Sequence, residues 1–152
     1  MKWGSNMDEF IKLLDKSLEY VDHYILDDTI YIKVTSIRRN TLCPYCGTST
    51  DKVHSHYERR FQDLPIQGKK VMIILNNRKM FCNNKGCDHK TFAETFDFLA
   101  FKSKKTIRLE DEIINISQNV SSVAAARIIN TGIANVGKST ICNLLKKNNH
   151  QY

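Results

Sequence analysis

The fold is decided by two short stretches, Cys43-Pro44-Tyr45-Cys46-Gly47 and Cys82-Asn83-Asn84-Lys85-Gly86-Cys87. Each stretch carries two cysteines on a turn that contains glycine, and 35 residues separate the two pairs. Zinc prefers four ligands in a tetrahedron, and four cysteine thiolates make a closed, structural site. A single CxxC is shared with redox proteins, whereas two pairs at this spacing are typical of zinc ribbons. The pattern predicts one structural Zn²⁺, bound by Cys43, Cys46, Cys82 and Cys87.

Other candidate ligands are weaker. Cys142 lies in an apolar stretch, so we interpret it as a small buried side chain. Each of His54, His56 and His89 could replace one thiolate, but the cysteine set is already complete. A surface or base-stacking role is therefore favoured for these histidines.

The composition is that of a globular protein, with 41% hydrophobic residues in a chain of 152. No apolar run approaches the roughly 20 residues that a membrane span requires. The N-terminal residues do not resemble a secretory signal. We therefore expect a cytoplasmic protein without a membrane partner, whose thiols are kept reduced.

The net charge of +7 is unevenly distributed. Residues 1–37 hold four Lys and Arg against seven Asp and Glu. The balance reverses to eleven against four in residues 38–90, and to eight against three in residues 99–152. Basic surfaces attract polyanions through counterion release. The distribution favours nucleic acid as a partner, and with it association with the nucleoid through DNA. A merely solvated basic surface is the alternative.

Local patterns predict an α+β protein in three consecutive parts. An N-terminal helix over residues 8–20 is followed by a strand over 29–37, and together they form a first domain, 1–39. A four-cysteine zinc ribbon of short antiparallel strands forms a second domain, 40–98. Its strands are predicted over 52–60, 71–82 and within 89–96, with a turn signalled by Pro65 and Gly68.

The third predicted domain, residues 99–152, is a three-helix helix-turn-helix unit. Leu109, Ile113, Ile116 and Val120 lie on one face of a helix over 106–119, with Thr106 as its N-cap. Further helices are predicted over 121–130, capped by Ser121 or Ser122, and over 139–147, beginning at a capping serine.

The segment from Gly132 to Ser139 matches the phosphate-binding pattern GxxxxGKS. A P-loop requires a buried strand before it and a nucleotide-binding domain around it. The preceding residues favour a helix, and the few that follow leave no room for the rest of a parallel sheet. Nucleotide binding is therefore only a remote alternative.

A helix-turn-helix is the competing interpretation of the same segment, although the break at 131–137 is longer than usual. Its last helix would place its N-terminal residues in the major groove. The alternative is a small bundle whose lysines are only solvated. The candidate contacts to bases or phosphates in this helix are Lys138, Ser139, Thr140, Asn143, Lys146 and Lys147. The candidate phosphate contacts in the ribbon are Arg59, Arg60, Lys69, Lys70, Arg78 and Lys79.

The order of these motifs resembles the N-terminal region of ISL-three family transposases over about residues 40–148. The resemblance implies a zinc ribbon and a helix-turn-helix that bind double-stranded DNA at the terminal inverted repeats of an insertion sequence. The matching positions are Arg60, Asp63, Leu64, Pro65, Gly68, Val71, Arg78, Phe81, Cys82, Cys87, Phe92, Ala93 and Glu94.

Such transposases continue into a metal-dependent catalytic domain, and this chain stops before one could begin. We therefore expect no enzymatic activity from it. A truncated regulator that competes with the full transposase, by occupying its sites or by pairing with it, is the second interpretation, and self-association is also open.

Overall fold

The computed structural model describes residues 5–150. Residues 1–4 and 151–152, at the ends of the outer predicted domains, lie outside the described part. The main sheet has the strand order β1-β2-β6-β5, with β7 paired to β6, and β3 and β4 form a second, two-stranded sheet. This architecture confirms the predicted α+β class. The elements in chain order are α1 (Ser5–Leu14), β1 (Leu18–Leu26), β2 (Thr29–Ser36), β3 (Thr41–Leu42), β4 (Ser49–Thr50), β5 (Val53–Ile66), β6 (Lys69–Phe81), β7 (Thr91–Ala93), α2 (Ile107–Ser117), α3 (Ser122–Gly132) and α4 (Lys138–Asn149).

The described chain forms two compact units, each assembled from three separate stretches. The first unit contains the residues up to Asp22 together with 32–60 and 74–101. The second contains 23–31, 61–73 and the residues from Lys102 onward. The sequence suggested three consecutive domains, and that division stays a prediction.

The N-terminal helix is shorter than predicted. It ends at Leu14, and Leu18–Tyr20, which the sequence pattern placed in the helix, begin β1 instead. The side chain of Asp15 ends the helix because its Oδ1 accepts a hydrogen bond from the backbone N–H of Ser17 at 2.7 Å. The β-forming residues that follow, among them Val21 and Ile25, then favour a strand.

The predicted turn between β5 and β6 is confirmed at Gly68 but not at Pro65. Gln67 and Gly68 have φ angles of 53° and 73°, as in the type I′ turns that suit two-residue hairpins. Pro65, which had signalled the turn, lies inside β5. Proline lacks an N–H donor and is tolerated at a sheet edge, and β5 is the outermost strand of the sheet order.

The helical part of the second unit follows the prediction closely. The Thr106 side chain accepts a hydrogen bond from the Leu109 N–H, and the Ser121 side chain accepts one from Ala124, so both predicted N-caps are confirmed. The predicted capping serine of the last helix is wrong, because Gly137 is the N-cap and makes no side-chain bond. Val120 lies beyond α2 and is 39% exposed, so it does not share the buried face. None of the described helices is long and apolar enough to cross a membrane.

The three helices enclose one hydrophobic core, against which Leu64 of β5 packs. The buried members of that core are Leu109, Ile113, Ala125, Ile129, Ala134, Val136 and Ile141.

A buried carboxylate ties β5 to the start of α2 within the second unit. Asp63 is 4% exposed. Its Oδ1 accepts hydrogen bonds from the Thr106 hydroxyl and from Arg108 Nε, both at 2.8 Å. A buried charge is costly unless it is paired, and here both partners belong to the first residues of the helix. The contact therefore holds α2 at a defined position on the strand.

We expect the Asp63→Ala substitution to lower the free energy of unfolding by about 1–3 kcal/mol, because it leaves the Thr106 hydroxyl and the Arg108 guanidinium without their acceptor. Urea unfolding followed by helical circular dichroism measures the change. The exposed Asp51, changed to Ala, is the control and should alter stability by less than about 0.5 kcal/mol. Equal stability of the two variants would contradict the role given to Asp63.

Candidate zinc centre and nucleic-acid interface

The four predicted zinc ligands lie together in the first unit. The Sγ atoms of Cys43, Cys46, Cys82 and Cys87 all lie within 4.8 Å of one another. A tetrahedral zinc with Zn–S bonds of about 2.3 Å separates its sulfurs by about 3.8 Å. The Cys46 and Cys82 sulfurs are 3.5 Å apart, and all four cysteines are free of disulfides. The donor set fits one zinc ion after shifts of about an ångström, which confirms the structural zinc site.

The backbone of each turn aims its two thiols at a common point. In the first turn the Gly47 N–H donates to the Cys43 carbonyl at 2.8 Å, and Gly47 adopts a φ of 77° that glycine accommodates freely. In the second turn the Cys87 N–H donates to the Asn84 carbonyl at 3.1 Å. The Asn84 side chain also accepts from the Gly86 N–H at 3.0 Å. The two turns are thus preformed by their own hydrogen bonds.

Strand pairs anchor these turns. Thr41–Leu42 and Ser49–Thr50 pair on either side of the first turn. Phe81 pairs with Thr91 across the second. Beneath the sulfurs, Cys43, Met80 and Phe92 form a buried hydrophobic cluster, with Cys82 and Cys87 packed against it. The cluster is small, which is why a metal is needed to stabilise this part of the chain.

The thiols differ in their acidity before metal binds. A hydrogen bond with the Thr48 hydroxyl lowers the pKa of Cys46 to about 6. At Cys82 the Asn84 backbone lowers the pKa, but burial and the neighbouring thiols outweigh it and raise the pKa to about 12. Like charges this close repel one another, so a divalent cation is what allows all four thiolates to form.

Two of the residues predicted to contact phosphates, Arg78 and Lys70, donate hydrogen bonds to other side chains of the protein. Arg78 Nε donates to Glu94 Oε2 at 2.9 Å, and its Nη2 donates to Ser36 Oγ at 3.3 Å. Glu94 is 1% exposed, so the pair has a structural role within the first unit. Lys70 is 9% exposed and donates to Asn135 Oδ1 at 2.9 Å within the second unit.

The other predicted contacts from the strands are closer to solvent. Arg60 is exposed and donates to Glu58 at 2.7 Å, whereas Arg59 and Lys79 are half-buried. Lys69 is also half-buried, and its Nζ donates to the Asp27 carbonyl at 3.3 Å.

The last helix presents most of its predicted contacts to solvent. Ile141 is fully buried and fixes which side of α4 faces the core. Thr140 is half-buried beside it. The predicted contacts that are exposed on α4 are Lys138, Ser139, Asn143, Lys146 and Lys147.

Two side chains that the sequence analysis missed hold the segment before α4. Asn130 donates from Nδ2 to the Val136 carbonyl at 2.6 Å and accepts the Val136 N–H at 3.1 Å. Gln62 brackets Asn135 in the same way, donating to its carbonyl at 3.0 Å and accepting its N–H at 2.6 Å. Neither amide belongs to a motif, and their partners are not marked by any sequence pattern, so no signal in the sequence indicated them. Together they order the unusually long break between α3 and α4.

The P-loop alternative is wrong on local structure. Residues 122–132, where a P-loop requires a strand, form α3, and Gly132 is its last residue. The match to GxxxxGKS therefore covers the end of one helix and the start of the next.

The fold and the site define a four-thiolate zinc-ribbon protein. Residues 39–87 match the family described as the zinc-finger of transposase IS204/IS1001/IS1096/IS1165. The chain is also 29% identical over 104 residues to the transposase for insertion sequence element IS1001 from Bordetella parapertussis. That match covers 68% of this chain but 24% of the relative, so the chain spans about a quarter of the relative's length. No solved structure matches the chain. Residues 39–87 thus match the zinc ribbon of the ISL3 transposase family, as the resemblance predicted.

We expect the purified chain to carry one zinc per molecule, and the Cys82→Ser variant to lose it together with the structure of residues 40–95. Binding of structural zinc is worth roughly 10–16 kcal/mol in small zinc domains, so a strong chelator should have the same effect. Metal analysis and circular dichroism measure both quantities. Cys142→Ala is the matched control, because Cys142 lies in α4 and should leave the zinc content unchanged. Full zinc retention in Cys82→Ser would contradict the four-cysteine site.

Proposed function

We propose that this chain recognises double-stranded DNA at the terminal inverted repeats of an insertion sequence. The observation that carries the proposal is α4, whose exposed side chains are basic and polar while Ile141 anchors its other side. The transposase-family zinc ribbon in the same chain supports DNA as the ligand.

In this proposal α4 enters the major groove. Ser139 and Asn143 are four residues apart and so share one helical face, where an amide can pair with an adenine edge. Lys138 at the helix start and Lys146 and Lys147 in its last turn suit phosphates on either side. The side chains of Asn130 and Gln62 hold the preceding segment, so the helix is presented in one orientation rather than on a loose loop.

The basic residues of the strands add contacts to DNA phosphates, which do not depend on the base sequence of the DNA. Arg59, Arg60, Lys69 and Lys79 are proposed as phosphate contacts. Lys70 and Arg78 are also proposed as phosphate contacts. Their contribution to binding is smaller, since each already forms an ion pair within the protein.

In the proposed function these residues recognise DNA and do not cleave its strands. A zinc with four thiolate ligands has no open coordination position for water or a phosphate oxygen. Binding to a full-length transposase, or to a second copy of this chain, stays a prediction.

The double variant Lys138→Ala/Lys146→Ala should bind DNA more weakly and lower the slope of log affinity against log salt by about one unit per lost phosphate contact. Fluorescence anisotropy at several salt concentrations measures this, with terminal-repeat and random duplexes compared. Lys16→Ala, an exposed lysine beyond α1, is the control and should leave the slope unchanged. Equal affinity of the native chain for both duplexes would count against sequence-specific recognition.

A further inference from the structure

Two pairs of rings lie beside the zinc ligands in the first unit. Tyr45 and His89 stack face to face, with ring centroids 3.5 Å apart and planes 5° from parallel. His54 and Phe81 meet edge to face, with centroids 4.9 Å apart. Tyr45 directly precedes Cys46, and Phe81 directly precedes Cys82. Tyr45 lies on the first zinc-binding turn, and Phe81 ends β6 where the second turn begins. We call these four residues the ring platform.

The ring platform is not part of the hydrophobic core. Tyr45 is 55% exposed and Phe81 is 43% exposed, whereas the neighbouring Phe92 is 4% exposed and belongs to the buried cluster under the sulfurs. His54 and His89 are exposed as well. Because His89 covers one face of Tyr45, the exposed part of that ring is its other face and edge. Large rings left in water gain little stability, so they are available to a ligand.

The charge of the surrounding sequence indicates what that ligand is. Lys52, Lys79, Lys85 and Lys90 flank the rings in sequence, and residues 38–90 hold eleven Lys and Arg against four Asp and Glu. A ligand that suits both features carries planar rings and negative charge. Nucleic acid has both, and stacking between bases and aromatic side chains in a basic groove is how single strands are bound.

The conformation of the DNA follows from the stacking requirement. Inside a paired duplex both faces of a base are covered by neighbouring bases, so a protein ring stacks most readily on a base that is unpaired or has left the helix.

We propose that the ring platform binds unpaired bases of a DNA strand, with Tyr45 and Phe81 stacking on the bases and the flanking lysines contacting phosphates. This rests on the proposed function only in taking DNA as the ligand. Helix α4 reads the paired repeat, whereas the ring platform takes a strand that has opened.

The test uses the zinc-loaded full chain and three fluorescent probes. They are a random-sequence duplex, the same duplex with an unpaired oligothymidine tail, and oligothymidine alone. The native chain should bind the tailed duplex more tightly than the blunt one. Tyr45→Ala and Phe81→Ala should each lose affinity for the tail and for the single strand by roughly tenfold, and affinity for the blunt duplex by less than about twofold.

Matched variants separate stacking from folding. Tyr45→Phe keeps the ring and should keep the affinity, whereas Tyr45→Leu keeps the apolar bulk without the ring and should lose it. Phe101→Ala removes another exposed ring, at 83% exposure, and should leave all three affinities unchanged. Zinc content is measured for every variant, and the Tyr45→Phe to Tyr45→Leu comparison is made between proteins that retain one zinc.

Native affinity for the tail in Tyr45→Leu and Phe81→Ala would overturn the inference, as would equal binding of blunt and tailed duplexes by the native chain. Failure of the proposed function looks different. In that case Lys138→Ala/Lys146→Ala would leave duplex binding unchanged, while the tail would still depend on Tyr45 and Phe81.

Discussion

Four sulfur atoms within 4.8 Å of one another are the constraint on which the two zinc-binding turns of the first unit depend. Four thiols cannot ionise so close together without a cation, and without ionised ligands the two turns have little to hold them together. The hydrophobic cluster beneath them, Cys43, Met80 and Phe92, is too small to replace the metal. Zinc therefore takes the place of a larger hydrophobic core around these two turns. It also fixes the position of every residue adjacent to a ligand, including Tyr45 and Phe81.

In the second unit, polar side chains rather than a metal ion fix how the helices lie on β5. Its helices have an ordinary apolar core, but their attachment to β5 depends on polar groups that are satisfied by specific partners. Asp63 holds the start of α2, and Gln62 holds the segment before α4. These two neighbours face different partners because side chains alternate along a strand. Two adjacent residues of β5 thus position both the start of α2 and the segment before α4.

Much of this could be predicted from the sequence, and the failures have physical causes. Cysteine spacing and helix caps are short-range signals, so the zinc ligands, Thr106 and Ser121 were predicted correctly. The end of α1 was wrong because a local side-chain bond from Asp15 competes with helical periodicity. Pro65 was misread because its tolerance depends on the strand being at the sheet edge, which is a tertiary fact. The side-chain amides of Gln62 and Asn130 each bond the backbone of a residue with which they share no sequence pattern. No motif could therefore have indicated these hydrogen bonds.

The structure also changes what the family motif means. Of the residues that carried the resemblance, Arg78 and Glu94 are partners in a buried ion pair, and Asp63 is the buried acceptor of Thr106 and Arg108. Cys82 and Cys87 are zinc ligands, and Phe92 lies beneath them. These motif positions therefore encode the scaffold. The exposed residues of α4 lie outside that set, and they are free to differ without loss of the fold, because substitutions at exposed positions rarely alter stability by more than about 0.5 kcal/mol. This division fits the proposed recognition of terminal repeats, because the exposed residues of α4 can differ from one repeat to another while the scaffold stays unchanged.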